Sequence, residues 1–130
     1  MHEELEAYVK EIEPEINKIE ELLRVLMPDT PVYLITYITE LRAHCIYLNS
    51  FRCKLQLMSR EADFNFKPVK TKEMTEWDRE VMLKSIVKDY EYWLDRLDGI
   101  IRILEGHSSM AQSILSFEKS AMSHLNSGGV

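Results

Sequence analysis

The sequence predicts an all-α protein: an elongated bundle of three or four helices, one extended aromatic-basic loop, and a tendency to self-associate. Two observations carry this. Apolar residues recur at three- and four-residue steps along most of the chain. Gly and Pro number only four each in 130 residues, so breaks between helices are few. The length bounds the chain to a single domain, 1–130, and 45% hydrophobic residues are too many for disorder.

The first helix is expected over 3–27. Leu5, Tyr8, Val9, Ile12, Ile16, Ile19, Leu22, Leu23 and Leu26 form its stripe, with Glu and Lys on the other face. Pro14 lies inside that stripe. Either it kinks the helix or it opens a new one at the first helical position. Pro28-Asp29-Thr30-Pro31 is the next break. Asp29 or Thr30 serves as a cap, and Pro31 suits the first turn that follows.

The second helix is expected over 31–60. Leu34, Ile38, Leu41, Cys45, Leu48 and Leu55 step by four and three, with Arg52 in one slot. Ile35, Phe51 and Met58 widen the stripe. A 3.5-residue period of this length fits coiled-coil-like packing or the core of a monomeric bundle. Residues 61–74 read as a loop, because Phe, Lys and Pro interleave there without helical period.

The last helix is expected over 75–125. Thr75 and Asp78 have the spacing of a short-armed capping box. Ile86, Tyr90, Trp93, Leu97, Ile100 and Leu104 make one stripe. Val87, Leu94, Ile101, Ser108, Leu115 and Met122, each seven apart, make a second that crosses Gly106 in phase. That favours one continuous helix over a stop at Gly106 and a restart at Ser108 or Ser109. Asn126 to Val130 reads as a frayed tail.

Met1-His2-Glu3-Glu4 has neither a basic nor an apolar leader segment, so no secretory signal is expected. Nor is any uncharged stretch long enough for a membrane span, and a cytoplasmic location follows as the expectation. Cys45 and Cys53 lie about 12 Å apart along one helix, beyond disulfide reach, and read as reduced core thiols. The histidines are scattered, with no zinc-ligand spacing, so no metal or cofactor is expected. Glu91, Asp95 and Asp98 share a helix, but the Glu-x-x-His pairs of di-metal bundles are missing. With no nucleophile elbow and no phosphate loop, an enzyme is not expected.

The net charge of −6 argues against coating nucleic acid by bulk charge. Its distribution is uneven. Nine acids face three cations up to Thr30, whereas from Pro31 to Lys72 seven cations face Glu40, Glu61 and Asp63. This basic middle reads as a solvated face or as an anion-binding strip. In the second reading Arg52, Lys54, Arg60, Lys67, Lys70 and Lys72 track phosphates while Phe64 and Phe66 stack bases, which suits single strands. The alternative for the two Phe rings is to fold back onto the bundle.

The helix order, the aromatic-basic loop, Tyr92-Trp93 followed by Leu97-Asp98, the aliphatics Ile100, Ile101 and Ile103, and the Ser127-Gly128-Gly129 tail together resemble the UvsY-type recombination mediators of phages. The likeness spans roughly residues 33–129. That family's middle helix is denser in lysine, and the acidic first helix here has no counterpart in it. The resemblance implies an oligomer, in the form of a ring, that binds single-stranded DNA and helps a RecA-type recombinase displace single-strand-binding protein. A phage origin would place it in the host cytoplasm. The rival expectation is a helical protein–protein adaptor or inhibitor with no nucleic-acid role.

Overall fold

A computed structural model describes residues 3–25, 27–65 and 75–128. Among them the only regular elements are three helices: α1 spans Glu3–Arg24, α2 Pro31–Asn65 and α3 Glu76–Gly128.

Helix α1 passes through Pro14 without interruption. The ring sits on the exposed side of the helix, so the carbonyl freed one turn earlier faces water. Leu5, Tyr8, Val9, Ile12, Ile16 and Ile19 are all buried on the opposite side. Helix α2 starts at Pro31, and the Leu34 amide donates to the Thr30 carbonyl at 2.9 Å, which makes Thr30 the cap residue. The helix then runs on to Asn65, so residues 61–65 are helical where the sequence suggested a loop. Ala62 packs on the core there, extending the stripe one turn beyond Met58. The expected extended segment 66–74 lies outside the described residues.

Helix α3 opens with the anticipated capping box. Thr75 Oγ1 accepts from the Asp78 amide at 3.2 Å, and Asp78 Oδ2 accepts from the Thr75 amide at 3.1 Å. The helix is continuous through Gly106 and extends to Gly128, past the expected start of the tail at Asn126. At 1.5 Å per residue it is about 80 Å long, against about 33 Å for α1.

Two contacts give the sense of the α2–α3 pair. Arg52 meets Asp98, and Tyr37 meets His107. Moving back along α2 moves forward along α3, so the two are antiparallel. Residues 25–30 link α1 to α2, and Tyr8 lies edge-on to Phe51 at 6.3 Å. Thus α1 runs antiparallel to α2 and caps one side of the hairpin. Its far edge is tied to α3 by Arg96, which donates to Glu20 Oε1 at 3.2 Å and lies 5.0 Å from the Trp93 ring.

The core follows the 3.5-residue stripes. Leu34, Leu41, Leu48 and Leu55 are fully buried against Tyr90, Leu97 and Leu104. Burying a Leu side chain stabilises by roughly 1.5–3 kcal/mol, so these layers dominate the fold. No helix among the described residues is long and apolar enough to cross a membrane.

Candidate nucleic-acid interface

The eight residues picked out by the basic middle fall into three groups. Arg52 and Lys54 have partners on other helices but keep contact with solvent. Arg52 occupies a stripe position, and its Nε meets Asp98 Oδ1 at 2.5 Å. The pair is partly exposed, with Arg52 keeping 41% and Asp98 31% of its side-chain surface open to solvent. Lys54 Nζ lies 4.4 Å above the Tyr8 ring, a cation–π contact that pins α1 to α2.

Arg60 and Phe64 form the second group. Both are exposed, four residues apart on the last turns of α2. Phe64 is 87% exposed, so of the two readings for its ring the structure gives the outward one. The third group, Phe66, Lys67, Lys70 and Lys72, lies outside the described residues.

Sequence reasoning missed Trp77. It stands 70% exposed in the first turn of α3, at the end of the hairpin where α2 finishes. Its signal was phase. Ile86, Tyr90 and Trp93 set the buried side of α3, and Trp77 falls off that stripe. Arg79 is exposed beside it, but Glu76 and Glu80 are exposed on the same turns, so the helical part of this end is of mixed charge.

The side of the hairpin opposite α1 carries a shallow groove of about 560 Å³. Arg42, Cys45 and Ile46 of α2 and Glu105, Ser108 and Gln112 of α3 line it. Burial, and then the Glu105 carboxylate, push the Cys45 thiol above its ordinary range. A thiol held protonated is a poor nucleophile. Cys53 is exposed rather than in the core, because the stripe turns Arg52 inward and its neighbour out. Among the described residues no three His, Cys, Asp or Glu side chains are grouped to hold a metal ion.

Burial is also the main cause of three raised tyrosines. Tyr8 is pushed up to about 12, with Glu11 and Tyr47 adding to the effect. Tyr37 and Tyr90 move in the same direction. These phenols are structural, set between helices rather than facing an open site.

No family model matches the chain, and neither a curated protein nor a solved structure matches it.

Proposed function

We propose that this is a non-enzymatic, self-associating helical protein that binds single-stranded DNA in the manner of a phage recombination mediator. In that role it helps load a RecA-type recombinase while single-strand-binding protein is displaced. The observation that carries the reading is Phe64, a large aromatic ring held 87% exposed at the end of α2, one turn after the exposed Arg60. An outward ring costs solvation and offers a stacking face that any base can use. In sequence it leads directly into Phe66, Lys67, Lys70 and Lys72.

The strip is weaker per chain than its sequence suggested, since Arg52 is paired with Asp98 and the exposed Lys54 lies over the Tyr8 ring. Useful affinity therefore requires several copies presenting Arg60, Phe64 and the lysines together. The test is fluorescence anisotropy of a labelled oligo-dT against salt. Binding that weakens with salt, at about 0.7 log units per phosphate contact, supports the reading.

One set of residues favours the second reading, a protein–protein adaptor or inhibitor. Ile35, Ile46 and Leu57 are exposed at eleven-residue intervals and so share one outward face of α2. If the wild type shows no oligo-dT binding at low salt, the adaptor reading takes first place.

A further inference from the structure

Helix α3 carries a second seam on its outer side, away from the core. Gly99, Ile103, Gly106, Met110, Ser113 and Phe117 step by four and three, as a coiled-coil face does. Its large members are uncovered: Ile103 is 50% exposed, Met110 58% and Phe117 73%. Its small members lie between them at seven-residue intervals. Two glycines inside a helix oppose its formation, yet among the described residues nothing uses the room they leave. A Cβ built at Gly99 or Gly106 meets no atom within 4 Å.

We propose that this seam is the contact with a second copy of the chain, α3 against α3 in antiparallel register. The self-association part of the function proposed above is its basis, and the nucleic-acid part is not needed. The alternation of large and small decides the sense. In a parallel pair Phe117 would face Phe117 and Gly106 would face Gly106, giving a clash beside a void. In an antiparallel pair, with Met110 over Gly106 of the second copy, Ile103 meets Ser113 and Phe117 meets Gly99. Every bulky side chain then enters a gap, and the two-fold axis makes each contact occur twice.

Ser113 can be covered without leaving a donor unpaired, since its hydroxyl donates to the Ser109 carbonyl at 3.0 Å. From Gly99 to Phe117 the seam is about 27 Å long.

The test is sedimentation velocity of the full chain from about 1 to 200 μM, without nucleic acid, for the wild type, Gly99→Leu and Gly106→Leu. Both changes favour the helix, so loss of folding does not confound them. The wild type should dimerise, and each variant should raise the dissociation constant at least tenfold. Crosslinking fixes the sense in a Cys45→Ser, Cys53→Ser background. Chains with Phe117→Cys should form a disulfide with chains carrying Gly99→Cys, and Phe117→Cys alone should not. A wild type that stays monomeric overturns the proposal together with self-association. A dimer indifferent to both leucines overturns the seam alone. Phe117→Cys crosslinking to itself overturns the antiparallel sense. Oligonucleotide is absent from every arm, so failure of the DNA-binding reading shows up separately.

Discussion

The Tyr37 hydroxyl and His107 Nδ1 stand 3.1 Å apart, seventy residues distant in the chain. The contact fastens the second turn of α2 to α3 just beyond Gly106. Burial and the nearby Glu40 raise the Tyr37 phenol, so it keeps its proton near neutral pH. Replacing Tyr37 with Phe should cost about 0.5–1.5 kcal/mol, the usual net value of one hydrogen bond. Urea unfolding followed by circular dichroism would measure it, and an unchanged midpoint would remove the bond from the account. The same contact bears on truncation. Ending the chain after Gly106 removes His107 and the buried Ala111, so it should fray the start of α2 as well as shorten α3.

Alkaline pH should weaken the fold. Tyr8 is raised from 10.0 to about 12, and Tyr37 and Tyr90 are raised too. A group that holds its proton more tightly when folded stabilises the fold fully below its unfolded pKa. That contribution is lost as pH rises through the folded value, here between 10 and about 12 for Tyr8. The deprotonated phenol would also lie buried beside Glu11. Stability measured at pH 8, 10 and 11.5 should fall across the last interval. The fall should be smaller in Tyr8→Phe. Equal losses in both proteins would mean that another group controls it.

Salt dependence tests whether a cation already paired between helices is also used on DNA. Arg52→Ala should cost about 0.2–1 kcal/mol of stability, the range of a partly exposed ion pair. The oligo-dT salt slope should stay within error, because Arg52 is held by Asp98. Lys67→Ala, Lys70→Ala and Lys72→Ala combined should flatten that slope by roughly 2 log units if all three contact phosphate. Phe64→Ala should weaken binding by about 1–3 kcal/mol with the slope unchanged. An Arg52 effect as large as that of the three lysines would mean that the pair opens on binding.

Core packing makes a simpler demand. Leu41 and Leu97 are fully buried. Either one changed to Ala should cost about 2–5 kcal/mol. Ile103→Ala, on the uncovered side of α3, should cost well under 1 kcal/mol in a dilute monomer. Chemical denaturation of the three variants at low micromolar concentration checks the contrast. A large loss from Ile103→Ala under those conditions would put that side chain in the core.

Much of the fold was legible because period survives composition. Leu34, Ile38, Leu41, Leu48 and Leu55 of one stripe are buried and its Cys45 partly so; Tyr90, Trp93, Leu97, Ile100 and Leu104 of the other are buried and its Ile86 partly so. The phase carried across Gly106 correctly predicted one helix rather than two. The end of α2 was harder to place, because Asp63 and Asn65 resemble loop residues while Ala62 still had core to cover. For the candidate site, one-dimensional charge counting was the weakness. Arg52 and Lys54 look like free cations in the sequence, and only the approach of Asp98 and Tyr8 from other helices shows them occupied. Trp77 was passed over because a capped first turn was read for its cap rather than for its outward ring.

The antiparallel pairing of α2 with α3 also implies a direction of assembly. Arg52 and Asp98 are 46 positions apart in the chain, and Tyr37 and His107 are 70 apart. Closing the longer span costs only about 0.4 kcal/mol more entropy. Each layer nevertheless becomes affordable only after the one nearer the connecting segment has formed. The hairpin should therefore close like a zipper, from the end that carries Phe64 and Trp77 toward the end that carries Tyr37. Helix α1 then wraps a surface that already exists. Amide exchange should be slowest around Leu48, Leu55 and Leu97, and should quicken toward Leu34 and the far end of α3. The proposed two-fold seam lies toward that last-formed end, where a second copy would add protection that the monomer lacks.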